Sequence, residues 1–413
     1  MNVIGIVAEY NPFHLGHALH VEKTRSMMGE TAPVVCVMTG DFVQRGAPAL
    51  LSKHARAEAA VRSGVNLVLE LPLAWSLSSA EGFARGAVSM LAATGVVDVI
   101  SFGSEAGQLA PLQALAEALD KPETDARIVE ELRRGDGYAA ARQRALACTV
   151  GETAAKQIGR PNNILAVEYL RAMRAHPQLR PFTIAREGAG HDETGAASSA
   201  LRSASELRDK CLLGKDISDW LPPESAAILA REQQAGHGPV GETALETALL
   251  SRLRMLPREA FSALPDASEG LGDRLYHAVQ TQPGLEQILT AAKSRRYALS
   301  RLRRMCWCAA LGVRQGDAAG TPPYLRVLAA DDAGRALLRQ MAACAALPVV
   351  TKPAAVHQLD TQAQRVFEAG TAARDLYCLA WTLEQRTPGS DWRATPYMMP
   401  ICRDKGEIKK VSI

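Results

Sequence analysis

The chain has 413 residues, of which 47% are apolar and 22% are charged, and its 47 basic and 44 acidic side chains leave a net charge of +3. This composition excludes wholesale disorder, and the length predicts two to three domains. The small net charge does not indicate a polybasic nucleic-acid binder, although it is compatible with a locally basic surface.

The cysteines and the apolar stretches indicate the cellular compartment in which the protein is expected. No apolar stretch reaches the roughly 18 residues that a membrane-spanning helix needs, and the first residues lack a positively charged leader. Eight cysteines are scattered without a Cys-x-x-Cys pair, which favours reduced, buried thiols over a zinc site. We therefore expect a cytoplasmic protein that does not contact membranes and whose fold needs neither disulfides nor a resident metal.

Short apolar runs alternate with helical patterns through the first 105 residues. Fully apolar strands joined by amphipathic helices indicate a parallel sheet that is covered on both faces. With right-handed crossovers, this pattern predicts an α/β fold with a Rossmann-like, doubly wound sheet. Predicted strands cover residues 3–7, 33–38, 66–71 and 96–102, and predicted helices cover residues 15–28, 53–62 and 82–93.

The remaining elements are mostly helical. Helical patterns continue to a last predicted strand at 181–186 and a predicted helix at 198–213. Beyond that helix the pattern is almost entirely helical, with short glycine- and proline-containing connectors. We therefore predict a Rossmann-like domain over residues 1–215 and a mainly helical region over residues 216–413.

The loop between the first strand and the first helix contains His14 and His17, with Gly16 between them. In a parallel sheet, such a loop lies where phosphates meet a helix N-terminus. It matches neither the Walker pattern nor the dinucleotide pattern Gly-x-Gly-x-x-Gly. The spacing puts both imidazoles on one side of the first helical turn, where they could stabilise charge that develops at an α-phosphorus. Ordinary capping residues and a zinc pair are the alternatives, and no companion zinc ligand is evident.

A His-x-Gly-His motif at this position resembles the signature of the nucleotidylyltransferase superfamily, which includes the class I aminoacyl-tRNA synthetases. Residues 5–17 closely resemble the start of the bacterial tRNA(Met) cytidine acetate ligases. The first motif indicates the superfamily, and the series of motifs indicates the family. Further stretches resemble this family in order, at residues 39–46, 64–72, 102–105, 161–165, 186–191, 295–297, 301–304 and 347–352.

The resemblance implies an ATP-dependent ligase with two steps. Acetate would attack the α-phosphorus of ATP to give acetyl-adenylate and pyrophosphate. N4 of the wobble cytidine in elongator tRNA(Met) would then accept the acetyl group. The resemblance thus implies that residues 1–215 form the ATP-binding catalytic domain and residues 216–413 the tRNA-binding region. Mg²⁺ is expected with the triphosphate and would be held mainly by the nucleotide, so no protein ligands are assigned to it.

The family motifs assign the ATP site to particular residues. His14 and His17 would be catalytic, and the motif register favours Asn162 over its neighbour Asn163. The expected ATP-binding residues are Val7, Ala8, Glu9, Tyr10, Asn11, Pro12, Phe13, His14, Leu15, Gly16, His17, Ala18, Leu19, His20, Gly103, Asn162, Arg186 and Arg202.

Other polar residues lie near the same predicted sheet edge. Arg202 closes a Ser-x-x-Arg sequence that resembles the second phosphate motif of the superfamily, although the Gly-Tyr-His-Asp run that usually precedes it is altered here. By this resemblance Arg202 would hold the leaving pyrophosphate. Gln44 and Arg45 follow the second predicted strand and are expected to face substrate. Lys53 is interpreted as a charge at a helix start, and Asp41 as part of a polar turn.

A cluster of basic residues lies between residues 293 and 304. On a helix these residues would form a cationic face with an aromatic residue at its edge, suited to tRNA phosphates and to stacking on a base. The alternative is a solvated helix face that nearby carboxylates neutralise. With a tRNA substrate implied, the expected tRNA-binding residues are Arg295, Arg296, Tyr297, Arg301, Arg303 and Arg304.

Two other functions share some of these features. A nucleotidylyltransferase that adenylylates a small phosphorylated acceptor would have the same histidine motif, but it would not need the long helical C-terminal half. A non-catalytic RNA-binding protein could retain a relic nucleotide fold, although the intact histidine motif argues against decay. The sequence indicates neither the oligomeric state nor the residues that would distinguish elongator from initiator tRNA.

Overall fold

A computed structural model describes residues 2–105, 107–185, 201–268 and 270–400 of the chain. Most of its strands are short, and they are distributed over both halves of the sequence. The described strands are β1 (Ile4–Ala8), β2 (Val34–Thr39), β3 (Phe42–Val43), β4 (Ala47–Pro48), β5 (Leu67–Leu71), β6 (Val99–Ser104), β7 (Arg180–Ala185), β8 (Leu325–Ala330), β9 (Val349–Val350) and β10 (Tyr397–Met398).

Eight of these strands form one sheet, in the order β10-β8-β5-β2-β1-β6-β7, with β9 beside β8. The neighbours from β5 through β7 are all parallel. Every residue of β2 and β5 is buried, as expected for strands that are covered on both faces. The predicted parallel, doubly wound sheet is therefore confirmed. The carboxyl ends of β1, β2, β5 and β6 share one edge, where ligands bind in such sheets.

The C-terminal half contributes three strands to the same sheet. β8 pairs antiparallel with β5, and both β9 and β10 pair parallel with β8. The mostly helical character predicted for this half is confirmed, but the sequence did not predict these strands. The longest of them, β8, has six residues and contains Arg326, and so short a run cannot be distinguished from a buried helical segment by periodicity alone. Strands on both sides of residue 215 therefore belong to one sheet.

Helices cover both faces of the sheet, and their side chains form two large cores. Along β5, Leu67, Leu69 and Leu71 belong to one core and Val68 belongs to the other, because successive strand residues point to opposite faces. The described α-helices are α1 (Leu15–Met28), α2 (Lys53–Arg62), α3 (Leu73–Ser76), α4 (Ala80–Ala93), α5 (Leu109–Leu119), α6 (Pro122–Arg133), α7 (Tyr138–Val150), α8 (Glu152–Lys156), α9 (Pro161–Met173), α10 (Ala204–Leu212), α11 (Pro223–Gln234), α12 (Glu242–Met255), α13 (Arg258–Ser262), α14 (Leu271–Thr281), α15 (Leu285–Ala292), α16 (Leu299–Leu311), α17 (Asp332–Cys344), α18 (Thr361–Tyr377) and α19 (Ser390–Arg393).

Candidate active site

The two histidines cap the first helix. His14 is the N-cap of α1, and its Nδ1 accepts a hydrogen bond from the backbone N–H of Gly16 at 3.0 Å. Nδ1 of His17 accepts from the backbone N–H of His14 at 3.3 Å. This is a capping box in which two imidazoles replace the usual hydroxyl and carboxylate. The capping role that was an alternative to a functional role is therefore real, and it fixes both rings.

The capping bonds also determine what the rings can donate. With Nδ1 acting as acceptor, each neutral imidazole carries its proton on Nε2, which is then a donor. The ring centroids of His14 and His17 are 3.9 Å apart. A side chain at position 16 would bring a Cβ within 2.8 Å of Cε1 of His14, so this packing requires Gly16. Two Nε2 donors are thus held side by side at the N-terminus of α1, after the carboxyl end of β1.

The residues before His14 build the base of the loop. The rings of Tyr10 and Phe13 are buried, with centroids 4.7 Å apart, and the Tyr10 ring meets that of His17 edge-on at 5.0 Å. Tyr10 has a φ of 46°, which is uncommon for a residue other than glycine. Oδ1 of the buried Asn11 accepts a hydrogen bond from the backbone N–H of Leu50 at 2.7 Å. These side chains of the predicted ATP set thus support the loop and the histidines.

The far side of α1 meets β6. Nε2 of His20 lies 2.9 Å from Oγ of Ser101 in β6, and Oγ1 of Thr24 lies 2.8 Å from the same oxygen. Gly103 is two residues further along β6, where it pairs in register with Ile184 of β7. The structure therefore places Gly103 near the same sheet edge as the histidine loop, as predicted from its position in the strand.

The two neighbouring asparagines have different surroundings. Asn162 lies in the first turn of α9, and its Nδ2 donates to Oε1 of Glu105 at 3.1 Å. Asn163 is 1% exposed. Its Oδ1 accepts from the backbone N–H of Glu105 at 3.1 Å, and its Nδ2 donates to the carbonyl and side-chain oxygens of Gln157. Asn163 therefore ties α9 to the end of β6, whereas Asn162 lies on the more accessible side.

The structure describes one of the two predicted arginines of the ATP site. Arg186 lies outside the described residues. Arg202 precedes α10, which begins at Ala204 after the N-cap Ser203, later than the predicted start at residue 198. The Arg202 guanidinium is 3.1 Å from Oε1 of Glu206 and 5.9 Å from the Trp220 ring centroid. Its contact with pyrophosphate stays a prediction.

Lys53 has a structural environment that the sequence did not predict. It begins α2 but is 1% exposed, and its Nζ contacts Oε1 of Glu70 at 2.8 Å and Oδ2 of Asp391 at 2.7 Å. Arg326 of β8 binds the same two carboxylates, at 3.0 Å and 2.7 Å. The interpretation of Lys53 as a simple helix-start charge was wrong, because its partners are supplied by β5 and by the distant helix α19. We call Lys53, Glu70, Arg326 and Asp391 the ionic cluster.

Asp41 also has a larger role than a polar turn. It is 4% exposed. Its Oδ1 accepts from the backbone N–H of Lys53 at 2.7 Å and lies 3.2 Å from Nη1 of Arg374. The side chain therefore links the end of β2 to the start of α2 and to α18.

The predicted tRNA-binding residues do not form one cationic helix face. Helix α16 begins only at Leu299, so Arg295 and Arg296 lie before it and are exposed, while Tyr297 is buried. The other three residues bind protein acceptors: Arg301 donates to the carbonyl of Asp266, Arg303 to Glu242 and Glu286, and Arg304 to the carboxylate of Asp266. Carboxylates neutralise much of this surface, as the alternative interpretation held, and tRNA binding by these residues stays a prediction.

Sequence reasoning missed three residues that contact the predicted ATP-binding residues. Arg56 is buried and donates to the backbone carbonyls of Glu9, Thr39 and Gly40. Arg208 of α10 donates to the carbonyl of Asn11 at 2.8 Å, and Glu105 contacts Asn162. Glu105 belongs to the stretch at residues 102–105 that resembles the family, so the sequence could have indicated it as a site residue. Nothing in the helical pattern distinguishes Arg208 from a solvated surface arginine.

The comparisons with known proteins agree with this geometry. The family model described as HIGH Nucleotidyl Transferase matches residues 1–390. The tRNA(Met) cytidine acetate ligase of Caldanaerobacter subterraneus is 34% identical over 92% of this chain and 96% of the relative. That of Syntrophotalea carbinolica is 38% identical over 85% of each chain. This chain belongs to the tRNA(Met) cytidine acetate ligase family.

Solved structures of a related protein share the architecture of the family. TmcAL from Thermotoga maritima is 32% identical, with a TM-score of 0.90 over 96% of this chain and 99% of the apo structure. A second crystal form of that protein, bound with alpha-thio ATP, gives a TM-score of 0.89 with the same identity and coverage. A member of this family therefore binds an ATP analogue on the fold described here.

Two features are absent from the described part of the chain. Among those residues, no helix is long and apolar enough to cross a membrane. In the same residues, no group of three or more histidine, cysteine, aspartate or glutamate side chains is arranged to hold a metal ion. A zinc site at His14 and His17, the alternative considered above, would therefore have no third protein ligand among the described residues.

Proposed function

We propose that this protein activates acetate with ATP and transfers the acetyl group to N4 of the wobble cytidine of elongator tRNA(Met). The observation that carries the proposal is the histidine capping box. It holds the Nε2 donors of His14 and His17 together at the N-terminus of α1, beside the edge where a parallel sheet binds nucleotides. Membership of the acetate ligase family then favours acetate and tRNA(Met) as the substrates, and a cytoplasmic location where tRNA is found.

In the first step, an oxygen of acetate attacks the α-phosphorus of ATP, and the bond to the pyrophosphate oxygen breaks. The two Nε2–H groups would donate to phosphate oxygens on which charge increases in the transition state. Because the backbone N–H groups of Gly16 and His14 already hold the rings, the donors need little reorganisation when charge develops. In the second step, N4 of cytidine attacks the acetyl carbonyl, loses a proton, and displaces AMP.

Mg²⁺ would accompany the nucleotide and neutralise part of the triphosphate charge. The loop offers imidazoles and backbone amides, which suit phosphate oxygens better than a hard cation. These groups would therefore bind the phosphates, and the phosphates would bind the metal. Glu9 is the carboxylate within the loop itself, and its Oε1 already accepts a hydrogen bond from the backbone N–H of Gln44 at 3.0 Å. We therefore assign no protein ligand to the metal.

The proposal is tested by incubating the protein with elongator tRNA(Met), ATP, Mg²⁺ and acetate, and by analysing the digested tRNA by mass spectrometry. We expect N4-acetylcytidine at the wobble position and none when ATP or acetate is omitted. Initiator tRNA(Met) is the matched substrate control. Failure to form the modified nucleoside would refute the proposal, and pyrophosphate release that needs a phosphorylated acceptor instead of acetate would favour the adenylylating alternative.

Two variants test the histidines without removing the helix cap. His14→Asn keeps a preferred N-cap residue, and His17→Gln keeps an acceptor at the third helical position. We expect each variant to lower the rate of acetyl-adenylate formation about 10²- to 10³-fold, the usual effect of losing one preorganised donor, while the protein stays folded. His277→Ala, at an exposed position on α14, is the matched control and should retain the full rate. Wild-type rates in both loop variants would contradict the proposed role.

A further inference from the structure

Glu9 has chemistry that does not suit a phosphate cradle. It lies in the loop that follows β1, and a carboxylate close to a triphosphate is repelled by it. Its Oε1 accepts from the backbone N–H of Gln44 at 3.0 Å, and its backbone carbonyl accepts from Arg56. The first contact joins the side chain of Glu9 to the hairpin formed by β3 and β4, which follows the neighbouring strand β2. The loop thus has a charged side next to the hairpin.

Two guanidinium groups accompany Glu9 on this side. Arg45 is exposed at the tip of the hairpin, and Arg208 of α10 donates to the carbonyl of Asn11 at 2.8 Å. The pKa of Arg208 is lowered, mainly because the group is partly buried; the negative charges of Glu9 and Asp209 oppose this effect and the positive charge of Arg45 adds to it. Arg208 is therefore within electrostatic range of both Glu9 and Arg45. The two guanidinium groups offer an anion its partners, and the nearby carboxylates keep the local positive charge small, which favours a monovalent anion over a multiply charged one.

The neighbouring Arg56 is not available to an anion in the same way. Its guanidinium is buried and donates to four backbone carbonyls, those of Glu9, Thr39, Gly40 and Leu51. Arg208 has one short bond to a carbonyl and a longer one, of 3.4 Å, to Oγ of Ser205. Arg45 makes no hydrogen bond or ion pair with the described residues. Donors of Arg45 and Arg208 are thus available to a ligand.

The hairpin tip is held in position from several directions. Nε2 of Gln44 donates to the carbonyl of Ser78 at 3.0 Å, in addition to the backbone bond to Glu9. Gly46 has a φ of 74°, and a Cβ there would lie 2.4 Å from the backbone nitrogen of Arg304 in α16. The backbone on both sides of Arg45 therefore abuts other elements. This preorganisation holds Arg45 near the nucleotide loop, which Gln44 contacts, and near the middle of α16, which Gly46 approaches.

We propose that Arg45 and Arg208 bind the carboxylate of the acetate substrate beside the nucleotide loop, and that the charge of Glu9 disfavours anions with more than one negative charge. The inference rests on the proposed function and names its acyl-substrate site. Guanidinium groups form charge-assisted, often bidentate hydrogen bonds with carboxylates. Acetate is already ionised at neutral pH, so its oxygen can form the bond to the α-phosphorus while pyrophosphate leaves, without any proton transfer.

The same site would release the acyl group after adenylation. The carboxylate loses its negative charge when one oxygen becomes the bridge to phosphorus, so its attraction to Arg45 and Arg208 weakens. Because the hairpin tip lies against α16, the activated acetyl group would face the C-terminal half, from which the tRNA is expected to approach. The negative charge of free acetate thus favours its binding before activation, and the loss of that charge favours transfer of the acetyl group afterwards.

The test uses acetate-dependent exchange of labelled pyrophosphate into ATP, measured with the full chain and without tRNA. A hydrogen bond to a charged group is worth about 1.5–3 kcal/mol, so Arg45→Gln and Arg208→Gln should each raise the KM for acetate about tenfold to a hundredfold. The KM for ATP should change less than about twofold if neither residue binds the nucleotide. Arg208→Lys, which retains the charge, should fall between the wild type and Arg208→Gln. Arg339→Gln, at an exposed position on α17, should match the wild type.

Other outcomes would overturn the assignment. An unchanged KM for acetate together with weaker tRNA retention on filters would mean that the arginines contact tRNA phosphates. An equal rise in the KM for ATP would make them triphosphate ligands. If Arg208→Gln does not fold, the exposed Arg45 decides the question alone. If the wild-type protein shows no acetate-dependent exchange, the proposed function itself fails. If the wild type exchanges and the arginine variants keep the same KM for acetate, only the acetate site is refuted.

Discussion

Replacing Asp391 by asparagine would test how much the ionic cluster stabilises the fold. Asp391 is 1% exposed, and its carboxylate lies 2.7 Å from Nζ of Lys53 and 2.7 and 2.8 Å from the two terminal nitrogens of Arg326. Glu70 contacts the same two cations. The wild-type cluster therefore pairs two buried cations with two buried anions, whereas Asp391→Asn leaves two cations facing one anion.

The expected loss follows from this imbalance. Removing one partner of a buried ion pair costs about 3–5 kcal/mol, because the remaining charge is left without compensation. Asparagine preserves the size of the side chain and can still accept hydrogen bonds, so we expect the lower end, about 3 kcal/mol. The matched control is Asp332→Asn. Asp332 pairs with Arg335 on the surface, with its side chain 57% exposed, and such a pair contributes at most about 1 kcal/mol.

Urea unfolding followed by circular dichroism at neutral pH would give both free energies of unfolding. A loss in Asp391→Asn that is no greater than that in Asp332→Asn would refute the reasoning. The pH dependence is a second check. Burial alone would raise the pKa of Asp391, but Lys53, His54 and Arg326 outweigh it and hold the pKa well below its usual value.

A carboxyl group whose folded-state pKa is depressed stabilises the protein above its unfolded-state pKa, about 3.9 for aspartate. That contribution is lost as the pH falls toward the folded-state pKa. The difference in unfolding free energy between the wild type and Asp391→Asn should therefore be constant near neutral pH and shrink below about pH 4. A difference that grows on acidification would contradict the sign of the shift.

Two further comparisons use matched positions. Gly46→Ala and Gly312→Ala both place a side chain at a φ of 74°, at a cost of about 1–2 kcal/mol. Only Gly46→Ala also drives a Cβ into the backbone of Arg304, so it should lower the melting temperature more than Gly312→Ala does and should raise the KM for acetate. Equal effects of the two variants would argue against the fixed hairpin. Asn163→Ala should lower the free energy of unfolding by about 1–3 kcal/mol, because it leaves buried polar groups unpaired. Asn162→Ala should instead mainly raise the KM for ATP in exchange assays. The reverse pattern would show that the motif register, which favours Asn162 as the ATP ligand, is off by one residue.

Much of the sheet could be predicted from sequence because its parallel strands are buried on both faces. The runs that became β1, β2, β5 and β6 are mostly apolar and are separated by helical patterns, and right-handed crossovers then allow few other topologies. β8 could not be predicted in the same way. It is a short run that contains the buried Arg326, and that charge is accommodated only because Glu70 and Asp391 come from distant parts of the chain.

The site was predictable where local spacing determines the geometry. His14 and His17 lie in one helical turn, so their juxtaposition follows from the sequence alone. The spacing does not predict that each ring accepts a backbone hydrogen bond, because histidine is not a usual residue in a capping box. Arg208 could not be identified because its contact with the carbonyl of Asn11 joins residues 197 positions apart. Lys53 was misinterpreted for the same reason, since its partner Asp391 is 338 positions away.

The pairing of β8 with β5 has a consequence for synthesis. β5 emerges early from the ribosome, but the strand that covers its outer edge follows roughly 250 residues later. At about 5–20 residues per second, that edge waits on the order of ten seconds or more with unpaired backbone groups. A nascent chain of this protein should therefore depend on chaperones that shield an open strand until translation is nearly complete.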